Sequence, residues 1–139
     1  MPELLLVANA LWFGGGFNLF ALRRRAFART LVPREHRDSP AFDVLAESGM
    51  FLGGFNFALC AFSLAVLFLP QVFANPEQRA VLFLFFAIAH GSQFFPNLPI
   101  ALTNRRGEGV WRVAGLMRFI FITDFTLMMA NGAVATFYF

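Results

Sequence analysis

The sequence predicts an all-α integral membrane protein, an antiparallel bundle of four transmembrane helices whose third helix is broken near Pro96 and Pro99. Three observations carry that reading. Of the 139 residues 58% are hydrophobic, 21 are phenylalanine and only 14% are charged, against roughly 25% charged in an ordinary soluble domain. Apolar stretches recur at the length of about 20 residues that a helix needs to cross the hydrocarbon core. The 11 basic side chains are all arginine, and most of them collect in two segments between those stretches. The length is that of one domain, so a single membrane domain is expected over residues 1–139.

Residues 4–22 form the first predicted span, closed by Arg23, Arg24 and Arg25. The start, Met1-Pro2-Glu3, has no positive region and no small-residue cleavage pattern, so the segment reads as a retained helix and not a signal peptide. Residues 23–47 read as a charged loop containing Arg29, Arg34, Glu35, Arg37, Asp38 and Asp43, with a short interfacial helix over 26–31. His36, among those charges, reads as a solvated loop residue. The second span covers 48–69 and stops at Pro70. Asn75 then offers an N-cap and Pro76 a first helical position, opening a third span over 78–102. Residues 103–109 form a short basic loop, and the fourth span covers 110–135.

Charge sets the orientation. Six arginines lie in the first loop and three more, Arg105, Arg106 and Arg112, lie in or beside the second, while the opposite side has only Arg79. Cytoplasmic loops carry the arginine excess, so residues 23–47 and 103–109 are expected in the cytoplasm and both termini on the other side. Trp12 falls inside the first span, whereas Trp111 and Tyr138 are placed like interface anchors.

One short repeat is present. Phe13-Gly14-Gly15-Gly16-Phe17-Asn18 differs from Phe51-Leu52-Gly53-Gly54-Phe55-Asn56 at a single position. Paired glycines let membrane helices approach closely, and an asparagine can bond across the contact. The repeat therefore reads as a tight interface between the first two spans, or else as a shared inner-leaflet ligand pocket lined by Asn18 and Asn56.

The chemistry-bearing residues lie in the last two spans. His90, Gln93 and Asn97 recur at i, i+3 and i+7, which places them on one face of the third helix. Pro96 and Pro99 leave the carbonyls of Ser92 and Phe95 without their helical donors, so a polar notch is expected there; irregular backbone at that depth belongs where it is buried in protein or lines a cavity. The fourth span carries Arg118 and Asp124, and ionisable groups in a membrane usually face the bundle interior. Counted at about 1.5 Å per residue from Val110, Asp124 lies roughly 20 Å in; counted from Ala80, His90 lies roughly 15 Å in. The depths allow contact, so a His90–Asp124 pair is expected. It would serve either as a proton-transfer pair or as a structural hydrogen bond. Arg118, about 120° around the helix from Asp124, is expected to reach back to the interface, towards a lipid phosphate, Asn97 or a loop carboxylate. Asn131 matches Asn9 in depth, and a bond between them would tie the first helix to the last.

Several function classes are excluded. The glycines lie inside apolar helices and form no nucleotide-binding loop, and no basic-aromatic surface suits nucleic acid. Cys60 is the lone cysteine and reads as a small core residue, since one cysteine makes no internal disulfide or zinc site. One histidine and one acid in the spans give a metal site no support. A bis-histidine haem would need a second spanning histidine, and single axial ligation of a pigment by His90 is disfavoured, so no cofactor is predicted. Small dimeric multidrug exporters have a comparable size, but they place a glutamate within the first helix, where this span has no acid after Glu3.

The favoured expectation is a non-enzymatic accessory or scaffold subunit of a larger membrane complex, with membrane lipids and other integral subunits as partners. The alternative is an enzyme or carrier for a lipidic small molecule (a quinone, an isoprenoid or a sterol-like compound), with Gln93, Asn97, Asn18, Asn56 and Arg118 as ligand-binding residues. A proton-coupled dimeric transporter is the further alternative.

Overall fold

The computed structural model describes residues 2–109 and 111–138. The chain is all-α, and its four long apolar helices are each able to cross a membrane by length and composition. Helix α1 (Pro2–Phe17) continues as a π-helical turn over Asn18–Leu22; α2 is Arg24–Leu31, α3 Pro40–Phe68, α4 Pro76–Asn104 and α5 Leu116–Tyr138. Packing divides the chain into two compact units, Leu6–Phe68 on one hand and Met1–Leu5 with Leu69–Phe139 on the other.

In the first unit α1 and α3 run antiparallel, as the order of their contacts shows: Gly14 lies beside Cys60, Phe17 beside Phe57, and Ala21 beside Gly53. The glycine repeat builds this contact. A side chain at Gly16 would collide with Asn56, and one at Gly53 would stand 2.8 Å from the backbone nitrogen of Ala21. One at Gly49 would stand 2.8 Å from the carbonyl oxygen of Phe20. Gly15 and Gly54, which align with Gly53 and Gly16 of the other copy, face open space. Only part of each motif is therefore required for close approach. The π turn coincides with the approach to Gly49 and Gly53; π turns are inserted where a helix must shift its register locally.

The segment expected as a loop over 23–47 is largely helical. Helix α2 is two residues longer at its start than the interfacial helix expected over 26–31, and α3 begins eight residues before the apolar span. Burial explains the extension. Ala28 of α2 packs against Phe42 and Ala46 of α3, with Val32 and Leu45 beside them, and Phe27 meets Phe20 edge-on at 4.8 Å. Residues 40–47 thus have an apolar face to bury even though their outer face is charged. Arg24–Glu47 and Arg25–Asp43 bridges, both 2.8 Å and both exposed, decorate that outer face; exposed pairs of this kind contribute about 0–1 kcal/mol each.

In the second unit α4 and α5 are antiparallel partners. The Asn75 side chain and Gln78 form a reciprocal capping box, with Pro76 at the first helical position, which fixes where α4 starts. The break expected near Pro96 and Pro99 is absent: α4 is helical through both prolines. Each proline forfeits one backbone bond, whereas ending a helix exposes four N–H or four C=O groups. In hydrocarbon each such group costs several kcal/mol, so continuing the helix is the smaller loss.

The fourth span also begins later than expected, at Leu116 and not Val110, which lies outside the described residues. Gly107, Gly109 and Gly115 have φ of 78°, 124° and 54°, conformations that end one helix and delay the next. The Asn104 side chain holds this connection. Its Nδ2 donates to the carbonyls of Glu108 (2.9 Å) and Trp111 (3.0 Å), and its Oδ1 accepts from the Val113 N–H at 2.7 Å.

Candidate functional site

Helix α4 buries Phe83, Phe86, Ala87, His90, Gly91 and Phe94, and α5 buries Met117, Asp124, Asn131 and Ala135. The first set follows the 3–4 spacing of one helix face; the acid and the asparagine of the second are seven residues apart, so they recur on one face two turns apart. His90 is the middle residue of α4, fourteen positions from Pro76 and fourteen from Asn104. It meets Asp124 directly: His90 Nδ1 and Asp124 Oδ1 are 3.1 Å apart, and the two side chains are 0% and 1% exposed. With the proton on Nδ1, the imidazole donates and the carboxylate accepts.

Aromatic side chains close the pair in along the helix axis. Phe94 stacks on Phe121 at 4.6 Å and lies 5.2 Å from the Phe125 ring. A side chain at Gly91 would come within 3.3 Å of Met128 Sδ, so the glycine lets α5 lie close at this level. In the other direction Phe83 stacks on Tyr138 at 6.4 Å, and the Arg79 guanidinium lies 5.9 Å from the Tyr138 ring centre. Charge at bilayer depth is tolerated when it is paired, and a low local dielectric strengthens such a hydrogen bond while raising the cost of losing it. Chemically the arrangement fixes an imidazole orientation, and the same geometry would let a proton pass between the two groups.

The other expected site residues do not converge on this pair. Gln93 and Asn97 are half-buried, at the margin of the face that His90 occupies. The Asn97 Nδ2 turns back to donate to the Gln93 carbonyl at 2.7 Å, so it serves its own helix. Ser92, Phe95, Pro96 and Pro99 are all exposed. The notch expected to line an interior cavity therefore lies on the outer face of α4. Arg118 is exposed in the first turn of α5, with no side-chain partner among the described residues. Asn56 is buried against Gly16 and donates to the Leu52 carbonyl at 2.8 Å, whereas Asn18 is exposed. These two asparagines do not share a buried pocket. Asn9 and Asn131 are both fully buried. Among the described residues no group of three or more His, Cys, Asp or Glu side chains converges as a metal site.

Two features escaped sequence reasoning. The three bonds made by Asn104 had only one signal, an asparagine at the end of an apolar run followed by spaced glycines. The gathering of loop arginines into one concavity, described below, had no signal in spacing at all, because it depends on how α2 lies against α3.

Fold and site together define a small polytopic membrane protein with four candidate spans. Comparison with known proteins finds no family model, no curated protein and no solved structure that matches the chain.

Proposed function

We propose that this protein is a non-enzymatic accessory or scaffold subunit of a larger membrane assembly. Its arginine-rich segments would lie on the cytoplasmic side and both ends on the opposite side. The observation that carries the reading is the burial of the His90–Asp124 pair: the two side chains bond to each other at 0% and 1% exposure. A pair used in this way joins α4 to α5 and offers no surface to a substrate. Large side chains on the outer helix faces, among them Phe51, Phe55 and Phe68 of α3 and Phe119 and Phe137 of α5, are exposed. Those faces suit lipid and neighbouring transmembrane helices, whose association rests on packing and not on a hydrophobic driving force. The charge pattern gives nucleic acid no place among the partners.

Isolation from the native membrane in mild detergent, with mass spectrometry of co-migrating proteins and small molecules, tests this reading. A stoichiometric larger assembly is the expected result. A lone monomer or dimer carrying a lipid or quinone would overturn it.

One observation favours a second reading. The single histidine and single acid in the middle of the spans are in contact, as a proton-transfer pair requires. Under this reading the protein is an enzyme or carrier for a quinone, isoprenoid or sterol-like molecule, or a dimeric proton-coupled transporter. His90→Ala and Asp124→Asn separate the readings. An accessory subunit loses assembled protein while whatever still assembles keeps its activity; an enzyme or transporter keeps its assembly and loses turnover.

A further inference from the structure

The arginines between the first two spans are gathered. Arg25, Arg29, Arg34 and Arg37, with Asp38 and Phe42, line one shallow concavity of about 390 Å³. Helix α2 supplies Arg25 and Arg29, the 3₁₀ turn that follows supplies Arg34, and Arg37 is the next residue after that turn. Four arginines thus line a small volume with Asp38, and Asp43 pairs with one of them, leaving an excess of positive charge that an anion would relieve.

Two of the four are fixed. Arg37 donates from Nε to the Val32 carbonyl and from Nη2 to the Arg29 carbonyl, both at 2.9 Å, and so occupies acceptors at the end of α2. Arg25 is held by Asp43 at 2.8 Å and lies 5.4 Å from the centre of the Phe42 ring. Arg29 and Arg34 are exposed, and among the described residues their side chains have no partner. The concavity therefore combines two anchored cations with two unengaged ones. Guanidinium forks match phosphate oxygens in pairs, which a point charge does not.

Depth identifies the source of the phosphate. The apolar run of the first span ends at Leu22, three residues before Arg25. Helix α3 has 29 residues, about 43 Å at 1.5 Å per residue, against a hydrocarbon core of about 30 Å. With the apolar run from residue 48 filling the core, the first eight residues of α3, 40–47, which carry Phe42, Asp43 and Glu47, would extend into the headgroup layer. The concavity beside Phe42 would open at that level. We infer that it binds a phosphate group presented by the headgroup of an anionic lipid, holding the loop side of the first unit to the membrane surface.

The test uses the full-length protein in detergent micelles doped with phosphatidic acid or phosphatidylcholine, with bound lipid counted by native mass spectrometry. Arg29→Gln/Arg34→Gln removes the two unengaged cations and touches no internal contact; circular dichroism checks that the helices remain. Arg105→Gln/Arg106→Gln removes equal charge from the other basic loop. The expected result is preferential retention of phosphatidic acid, weakened about tenfold or more by the first pair and less than about twofold by the second. Millimolar inorganic phosphate should not displace the lipid. Equal losses from both pairs, or no headgroup preference, would overturn the site. Binding of inorganic phosphate with the same dependence on Arg29 and Arg34, and no lipid preference, would overturn the lipid as its source.

Discussion

A double-mutant cycle on His90 and Asp124 measures what the buried pair contributes. Asp124→Val leaves a buried imidazole without its carboxylate, and His90→Leu leaves a carboxyl group at 1% exposure without its imidazole. Leaving one member of a buried hydrogen-bonded pair behind costs about 1–3 kcal/mol when neutral and about 3–5 kcal/mol when charged. Membrane proteins sit lower, with measured hydrogen-bond couplings averaging near 0.6 and reaching about 1.7 kcal/mol. The 3.1 Å separation and near-complete burial place this pair at the upper end of that membrane range. Each single variant should therefore lose about 1–1.5 kcal/mol. The double variant His90→Leu/Asp124→Val should recover most of it, because an apolar pair leaves no polar group behind, giving a coupling of about 1.5 kcal/mol or more. Unfolding of the purified protein in a rising fraction of denaturing detergent, followed by helical circular dichroism, supplies the four midpoints. Additive losses, with a coupling below about 0.5 kcal/mol, would refute the reasoning.

Three further predictions follow from the packing. Gly53→Ala pushes a methyl group against the backbone of Ala21 and should cost about 1–3 kcal/mol, whereas Gly15→Ala, facing open space, should be neutral or gain up to about 1 kcal/mol from helix propensity; the same detergent titration ranks them, and a reversed order counts against the α1–α3 contact. Pro96→Ala/Pro99→Ala restores two backbone donors to a helix that is already continuous, so its midpoint should rise, and a fall would mean that the prolines shape something the packing needs. Asn104→Ala removes three hydrogen bonds from the α4–α5 connection, worth about 0.5–1.5 kcal/mol each. Trypsin should then cut at Arg105 and Arg106 several-fold faster, while an unchanged rate would show that the bonds do not order the loop.

Much of the architecture was legible because a bilayer leaves few choices. Apolar length and arginine placement located four spans, and Asn75 with Pro76 marked the start of α4. The His90–Asp124 contact was legible for a related reason: one acid and one histidine in the middle of the spans have few other partners. Helix ends were less legible. Asp124 is eight residues into α5 and His90 is fourteen from the end of α4, so α4 overhangs the start of α5 by about 9 Å. The connection folds back along that overhang, stitched by Asn104. Proline spacing suggested a break, but the sequence does not carry the balance between two lost bonds and a whole exposed helix end. Nor does it show which side of a helix faces out: the i, i+3, i+7 pattern placed His90, Gln93 and Asn97 on one face, yet only His90 lies fully inside it. The charged stretch 23–47 concealed α2 and the start of α3 because their buried faces are short, resting on Phe27, Ala28, Phe42 and Ala46.

The most direct measurement replaces the native gene copy with one carrying His90→Leu/Asp124→Val, and follows both assembly and the cellular activity that is lost when the gene is deleted. A structural pair in an accessory subunit predicts near-normal assembly and near-normal activity, since an apolar pair can take over the packing. Normal assembly with abolished activity would contradict that role and assign the pair to proton transfer.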